Sequence, residues 1–391
     1  MAPSDELVSR AAKRTLALLA VALVCSMATW FSASAVVPQL RDEWSLSSGA
    51  AAWLTIAVQL GFVAGALVSS LLNVADLIAP HVVVFAGSAG AAAANALLLL
   101  THGPAAAVPL RLATGFFLAG VYPPALKLMA TWFRRSRGTA LGILVGALTL
   151  GSSLPHLVNG LGGLDWHAVI AVTSGLTLVG GVIALVAVTE GPYPFPQATF
   201  DPRQARLVFA NRGVRLASLG YLGHMWELYA MWTWFLVFAT DTLFASRSGA
   251  ALMTFAVIGV GALGCVAGGV LSDRFGRAET TAGLMMCSGA CALVIGLLPT
   301  WAAIVVAVAW GFTVVADSAQ FSTLVTEHAD QAYVGTALAL QLAFGFTLTV
   351  ATIWLIPVLE SAVGWRWAFA FLAPGPALGA AAMIRLRSAR C

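Results

Sequence analysis

The stretch Gly269-Val-Leu-Ser-Asp-Arg-Phe-Gly-Arg-Ala278 decides the fold, because it is a short charged segment between two long apolar runs. Glycine, aspartate and arginine are each disfavoured in a hydrocarbon environment. Here all three occur together at the junction between two apolar runs. This pattern indicates a tight connection between two membrane-spanning helices. We call the segment the hinge.

The composition independently predicts a membrane protein. Of 391 residues, 60% are hydrophobic and only 9% are charged, so no folded form could hide the apolar surface from water. A bilayer core needs about 20 apolar residues per helix. Twelve such runs follow one another, near residues 15–40, 47–73, 80–101, 104–132, 138–161, 165–189, 213–240, 247–272, 279–299, 301–322, 334–358 and 366–386.

The chain is therefore predicted to be an all-α integral membrane protein with twelve transmembrane helices. The longest connection is polar and contains Pro192, Pro194, Pro196 and Pro202, as expected of a linker. It divides the chain into a six-helix bundle at 1–189, a cytoplasmic linker at 190–212 and a second six-helix bundle at 213–391.

The basic residues predict the orientation. With the N-terminus inside, only Arg41, Arg247 and Arg366 lie in outside segments, and fifteen Lys and Arg residues lie in inside segments. Both termini are then cytoplasmic, in a multi-pass plasma-membrane protein of the bacterial inner-membrane type. The net charge of +4 reflects this topology, and nucleic acid is not expected as a partner.

Internal repetition indicates two related halves. Gly138-Thr-Ala-Leu141 opens the fifth span and Gly335-Thr-Ala-Leu338 opens the eleventh, while Thr55-x-Ala-Val58 recurs as Thr254-x-Ala-Val257. The offsets of 197 and 199 residues are nearly equal. Repeats of this kind are typical of transporters built from two homologous bundles.

The hinge resembles the motif G-x-L-[AS]-D-R-x-G-R-[RK], which joins the second and third helices in each half of a major facilitator superfamily transporter. Only the last position differs, where Ala278 replaces a basic residue. The resemblance implies alternating access between two six-helix bundles. It also implies a conformational latch formed by the hinge residues, here Gly269, Asp273, Arg274, Gly276 and Arg277.

The equivalent connection in the first half has lost this charge pattern, since Asn73 stands near the acidic position. The resemblance places Asp273 at the start of the fifth span, next to the basic residues Arg134 and Arg135. A carboxylate at a helix N-terminus is stabilised by the helix dipole. We therefore expect a single latch, at Asp273, and expect that the equivalent latch at Asn73 has been lost. The alternative is that the hinge only fixes the topology.

Ionisable residues inside spans are costly and are usually kept for function. In the resembled family, helices one, four, seven and ten line the central cavity, and five of the six such residues fall on those helices. Arg111 is expected to bind a carboxylate or an oxyanion, or alternatively to reach the membrane interface. Lys127 follows the helix break at Tyr122-Pro-Pro124. The alternative for Lys127 is likewise that its side chain reaches the membrane interface.

Glu227 is the first candidate for proton coupling, because apolar surroundings favour the neutral form of a carboxyl group. Tyr221 and His224 share its helix face by spacing. The alternative is a neutral Glu227 bonded to another helix. Asp317, with Gln320 one turn further along, is predicted to pair with Lys127 as an inner gate. Swapping the charges of Asp317 and Lys127 should then restore the function that is lost in either single variant.

Other polar or aromatic residues in the spans carry weaker expectations. Trp30 and Trp226 are candidate cavity residues. For Gln59, His156, Asn159 and Gln341, hydrogen bonds between helices are favoured over substrate contact.

The sequence contains no nucleotide-binding, protease, hydrolase or Cys-x-x-Cys motif, and four of its five cysteines lie inside spans. We expect no enzyme activity, no metal and no cofactor.

The region from Tyr122 to Ala140 resembles the nitrate/nitrite, cyanate and organic-anion branches of the superfamily. The expected function is proton-coupled secondary transport of a small anionic solute by a monomeric permease, a symporter. Span two contains no arginine, which argues against a nitrate carrier. A proton-coupled drug or metabolite exporter is the alternative, and a nontransporting membrane receptor is a distant one.

Overall fold

The structure is a computed structural model that describes residues 5–72, 74–133, 137–161, 165–193, 202–330 and 334–388. Long helices follow one another through these ranges. They are α1 (Arg10–Thr29), α2 (Ser48–Leu71), α3 (Pro80–Leu100), α4 (Pro104–Ala130), α5 (Gly138–Gly160), α6 (Trp166–Ala187), α7 (Arg212–Phe238), α8 (Arg247–Phe275), α9 (Arg277–Leu297), α10 (Thr300–His328), α11 (Val334–Val363) and α12 (Trp365–Arg387).

Eleven of these helices are long and apolar enough to cross a membrane. The other one, α7, has 27 residues and is long enough, but His224, Glu227 and several aromatic residues make it less apolar. Most of its residues are buried. A helix enclosed by its neighbours does not need an apolar surface toward lipid, so α7 completes the twelve spans that the sequence predicts.

Helices α1, α4 and α10 each contain an interruption. The regular part of α1 ends at Ser26, and a 3-10 turn at Met27–Thr29 leads into an irregular stretch before the short helix Val37–Trp44. Helix α4 breaks between Leu118 and Tyr122, and α10 breaks between Val314 and Ser318. Proline in the first turn of the new segment explains the restart of α4. These breaks free backbone groups that other residues must satisfy.

Close backbone contacts through glycine repeat in the first six helices and in the last six. A Cβ atom on Gly115 of α4 would overlap the carbonyl oxygen of Val58 in α2. In the same way, a Cβ on Gly311 of α10 would overlap the carbonyl oxygen of Val257 in α8. The pairs α2–α4 and α8–α10 therefore pack alike, with offsets of 196 residues between the glycines and 199 between the valines. We refer to α1–α6 as the first half and α7–α12 as the second half.

The two halves meet mainly along two seams, α5 with α8 and α2 with α11. Along the α5–α8 seam, a Cβ on Gly146 would lie 3.0 Å from the carbonyl oxygen of Ala262, and one on Gly142 would lie 3.1 Å from that of Cys265. Small residues thus let the two backbones approach closely, as is usual between membrane helices.

The hinge is reduced to a single residue in the structure. Helix α8 ends at Phe275 and α9 begins at Arg277, so Gly276 alone makes the turn. Its φ of +95° lies in the region that favours glycine. We call this end of the bundle the hinge face. We call the opposite end, where a cavity opens between the helices, the vestibule face.

These glycine contacts predict which substitutions destabilise the fold. Gly115→Ala and Gly311→Ala should each lower the thermal unfolding temperature in detergent, because the added methyl group pushes two helix backbones apart. Gly175→Ala and Gly283→Ala are matched controls, since a Cβ at either position meets nothing within 4 Å. The controls should be neutral or slightly stabilising, as alanine is the better helix former by about 1 kcal/mol. Equal unfolding temperatures in all four variants would contradict the packing.

Candidate functional site

A cavity of about 510 Å³ opens at the vestibule face between the two halves. Its lining includes Gln39, Asn159 and Trp166 from the first half and Arg247 from the second. An ion pair of 2.7 Å between Asp42 and Arg247 crosses the cavity mouth and joins the halves. We call this cavity the vestibule.

Six aromatic rings meet at the centre of the bundle and join the two halves. We call them the plug; they are Trp30, Phe31, Phe62, Tyr229, Trp232 and Phe346. Phe62 of α2 lies 4.8 Å from Phe346 of α11, and Phe31 lies 5.7 Å from Trp232 of α7, measured between ring centroids. All six side chains are buried. Trp30, expected to be a cavity residue, lies in the plug where the two halves meet.

Arg111 is completely buried, and its hydrogen bonds stay within the first half. Its guanidinium donates to the carbonyl oxygens of Leu54 (3.1 Å), Thr29 (2.9 Å) and Trp30. It also donates to Ser32 Oγ at 3.2 Å and Asn95 Oδ1 at 3.0 Å. Among the described residues these partners are all neutral oxygens. Arg111 therefore satisfies the carbonyl groups freed where α1 unwinds, and neither the anion-binding role nor the interfacial alternative matches this geometry.

Asn95 of α3 completes this polar centre, although the sequence reasoning did not single it out. Its amide nitrogen donates to Ser174 Oγ of α6 at 2.9 Å, and its Oδ1 accepts from Ser32 Oγ at 2.6 Å as well as from Arg111. One side chain thus ties α3 to α6, to α4 and to the unwound end of α1. A lone asparagine in an apolar span was the signal that could have found it.

Glu227 lies inside the second half. Its Oε1 accepts from Trp310 Nε1 of α10 at 2.7 Å, and its Oε2 accepts from Ser288 Oγ of α9 at 2.8 Å. All three side chains are buried. Glu227 therefore ties α7 to α9 and α10, which is the alternative that the sequence left open.

His224 and Asp317 form a buried pair. His224 Nδ1 of α7 lies 2.8 Å from Asp317 Oδ1, and the two side chains are only 1% and 2% exposed. Asp317 sits in the break of α10, directly before the helix restarts at Ser318. His224 also packs against Tyr221 and Phe321, with ring centroids 6.2 and 5.3 Å away.

The contact that Asp317 makes is thus with His224, and the pair with Lys127 stays a prediction. By the repeat, Asp317 corresponds to Gly120, in the break of α4. Lys127 lies seven residues further along, about 10 Å nearer the hinge face. The two side chains therefore stand at different depths in the bundle.

Arg277 organises the hinge face. Its Nε donates to Glu327 Oε1 at 2.8 Å, and its Nη1 donates to Gln320 Oε1 at 3.0 Å, both on α10. Gln320, expected at the substrate site, thus belongs to the hinge network. Arg277 also lies 3.9 Å from Asp273 Oδ1.

Asp273 reaches across to the first half. A Cβ on Gly138, in the first turn of α5, would lie 3.5 Å from Asp273 Oδ1. The guanidinium of Arg274 lies over the ring of Phe275, 5.1 Å from its centroid. Asn73, Arg134 and Arg135, the other predicted latch residues, lie outside the described residues.

Trp226 faces away from the centre. Its Nε1 donates to the carbonyl oxygen of Phe371 at 3.2 Å, and its ring packs on that of Phe371 in α12. Lys127 lies half-buried in the last turn of α4.

Several buried polar groups between the halves have no hydrogen-bond partner among the described residues. They are Trp30 Nε1, Trp232 Nε1, both amide atoms of Gln59, both ring nitrogens of His156, Ser152 Oγ and Gln341 Nε2. We call these the orphan groups. Of the four residues expected to bond between helices, only Asn159 does so fully, donating to the Ala35 carbonyl oxygen at 2.7 Å and accepting from Gln39.

A sequence profile of the Major Facilitator Superfamily matches residues 19–350, which is most of the chain. The chain belongs to the major facilitator superfamily. It is a secondary transporter of the membrane and not an enzyme. A search of curated proteins finds no match.

The superfamily fold is also seen in a solved structure that resembles this transporter. It is a bacterial homolog of the human lysosomal transporter Spinster, in an inward-facing and unoccupied conformation. The identity is 14%, the alignment covers 99% of this chain and 96% of the other, and the TM-score is 0.69. The likeness shows the fold, including the predicted all-α membrane architecture.

The contacts of Arg111 predict that it stabilises this transporter's fold. Arg111→Lys should lower the thermal unfolding temperature, because an ammonium group cannot span the carbonyl groups of α1 and α2. Each hydrogen bond to a charged group contributes about 1.5–3 kcal/mol. Arg366→Lys is the matched control on an exposed residue and should have no effect. If Arg111→Lys unfolds at the wild-type temperature but loses transport, the structural role is wrong.

Proposed function

We propose that this transporter is a proton-coupled symporter that moves a small anionic solute by alternating access. It works as a monomer in the bacterial inner membrane, with both termini and the hinge face cytoplasmic. The asymmetry of basic residues supports this orientation. The sequence from Tyr122 to Ala140, in the fourth and fifth spans, resembles that of the organic-anion branches of the superfamily. This resemblance supports an anionic solute.

The observation that carries the proton coupling is the buried pair His224–Asp317. Asp317 Oδ1 and His224 Nδ1 lie 2.8 Å apart, both side chains are almost fully buried, and a proton can be held between the carboxyl group and the imidazole. Glu227, in contrast, has both oxygens occupied by donors of its own half. We therefore assign the coupling proton to His224–Asp317, with Glu227 as the bracing residue nearby.

The surroundings of the pair suit this role. On α7 it is flanked by Tyr221 and, one turn on, by Glu227. On α8, Cys265 Sγ donates to the carbonyl oxygen of Val315, two residues before Asp317. His224 Nε2 has no hydrogen-bond partner in the described part of the chain, so a second proton position is present.

Helix α10 connects this pair to the hinge face. Asp317 precedes the segment Ser318–His328, and the same segment carries Gln320 and Glu327, which both bind Arg277. A shift of this segment on protonation would alter the hinge network. The hinge network in turn contacts the first turn of α5 through Asp273. We propose that Asp273 latches the cytoplasmic side in this way.

An anionic solute fits the orphan groups better than a cation does. Both indole N–H groups and the Gln341 amide nitrogen are hydrogen-bond donors. The one carboxylate oxygen among the unpartnered buried atoms of the described residues, Asp317 Oδ1, lies 2.8 Å from His224 Nδ1. Donors that lack acceptors in the protein would be satisfied by the oxygen atoms of an anion.

Transport by the Asp317→Asn variant tests the proposal. In proteoliposomes, the wild type should accumulate a labelled anion when a pH gradient is imposed. Asp317→Asn should lose this accumulation by tenfold or more, yet keep exchange of labelled for unlabelled solute at equal pH, because exchange needs no net proton movement.

Glu227→Gln is the comparison variant, with the same chemical change one turn from His224. It should keep pH-driven accumulation in proportion to the amount of folded protein. Loss of accumulation with intact exchange in Glu227→Gln, but not in Asp317→Asn, would move the coupling to Glu227. If no anion moves under any gradient, anion transport itself is wrong.

A further inference from the structure

We infer that the substrate of this transporter is an aromatic carboxylate, whose ring enters the plug and whose carboxylate accepts hydrogen bonds from the orphan groups. This inference rests on the proposed function, because it specifies which anions the central site selects.

The two indole groups of the plug differ from most other buried or half-buried indoles among the described residues. Trp226 donates to Phe371, Trp234 to Ile353 and Trp310 to Glu227, whereas Trp44 Nε1, near the vestibule, also lacks an acceptor. A buried polar group without a partner costs about 1–3 kcal/mol, and most native proteins leave very few. A ligand that satisfies the orphan groups between the halves during the transport cycle would remove this cost.

Two of the orphan groups belong to the plug, and a third lies next to it on the same helix as Phe62. Trp30 and Trp232 belong to the plug itself, and Gln59 lies one turn before Phe62 on α2. Gln341 lies one turn before Gly345, where a Cβ would overlap the ring of Tyr221. These groups come from both halves, so a ligand that binds them bridges the halves.

His156 approaches from α5. On that helix, Gly146 faces α8 and Gly151 faces Met27 beside α1. His156 and Ser152 lie one turn apart on the face between these two contacts, and both are buried. An imidazole there can donate one hydrogen bond when neutral and two when protonated. The site can therefore hold a negative charge without a permanent cation.

The rings of the plug favour a flat apolar body. Trp30 lies 4.9 Å from Phe62, 5.8 Å from Phe346 and 6.0 Å from Tyr229, at tilted or stacked angles. A planar ring can separate two of these side chains and replace one ring contact with two. A small inorganic anion offers no such surface and would leave the rings in place.

The arrangement disfavours the other classes of solute. The buried ionisable residues Arg111 and Glu227 already have partners within their own halves. An amine would bring further N–H donors to a set in which only Gln59 Oε1, Ser152 Oγ and one ring nitrogen of a neutral His156 can accept. An aliphatic acid would satisfy the donors but would gain little from the rings.

Thermal unfolding of the detergent-solubilised transporter provides the test, with benzoate, acetate, nitrate and benzylamine as probes. Benzoate should raise the unfolding temperature in a concentration-dependent manner, because a ligand that binds only the folded state stabilises it. Acetate, nitrate and benzylamine should not do so at the same concentrations. A result in which acetate or nitrate stabilises as much as benzoate, benzylamine stabilises more, or no probe stabilises would overturn the inference.

Two variants locate the site. Trp30→Phe and Trp232→Phe keep a ring but remove the N–H donor, and each should weaken benzoate binding about tenfold, or about 1.4 kcal/mol. Trp301→Phe is the matched control, since Trp301 is 73% exposed, and it should bind benzoate as the wild type does. Unchanged binding in both plug variants, with the unliganded unfolding temperature also unchanged, would place the ligand elsewhere.

The outcomes separate this inference from the proposed function. Proton-driven uptake of acetate or nitrate without benzoate binding would overturn the aromatic specificity and leave the symport mechanism standing. Benzoate binding with uptake that ignores the pH gradient would support the site and overturn the coupling.

Discussion

A bilayer offers no hydrogen bonds, so every polar group inside this bundle must find its partner within the protein. Arg111 shows how strictly the first half obeys this constraint. Its guanidinium gathers the carbonyl groups freed where α1 unwinds, together with Asn95 and Ser32. In the second half, Trp310 and Ser288 satisfy Glu227 in a similar way. In each half a buried ionisable residue, Arg111 in the first and Glu227 in the second, thus acts as an internal brace.

The same constraint separates the bracing residues from those proposed to act in transport. The orphan groups lie between the halves, where a solute would pass, and the pair His224–Asp317 lies beside the break of α10. Breaks in α1, α4 and α10 concentrate irregular backbone around the central region. In a secondary transporter, such breaks are tolerated only where they line a cavity or are buried in protein. The plug lies between the two halves at the centre of the bundle.

The spans could be predicted from the sequence because apolar run length is a local property, and the hinge could be predicted because its charges stand out. The directions in which side chains point within the bundle could not be predicted. Arg111 and Gln320 have the residue types expected of a substrate site, but their neighbours in space, Thr29 and Arg277, decide what they do. The break of α4 has a proline signal, whereas that of α10 has none and is visible only by comparing the halves. Orphan groups are invisible in a sequence, since they are defined by missing partners.

In the proposed alternating access, the α5–α8 seam opens at the hinge face and Asp273 holds it closed. Cys265 reports on this seam directly, because it is buried there, with Sγ 3.9 Å from Thr149 Oγ1. With Cys265 as the only cysteine, Asp273→Asn should speed its labelling by a membrane-impermeant maleimide from the hinge face about two- to thirty-fold, the range of a carboxylate at a helix N-terminus. Glu279→Gln is the control, since Glu279 pairs with Arg387 inside the second half at 3.1 Å. Labelling of Asp273→Asn at the wild-type rate, or equal acceleration in both variants, would contradict the account.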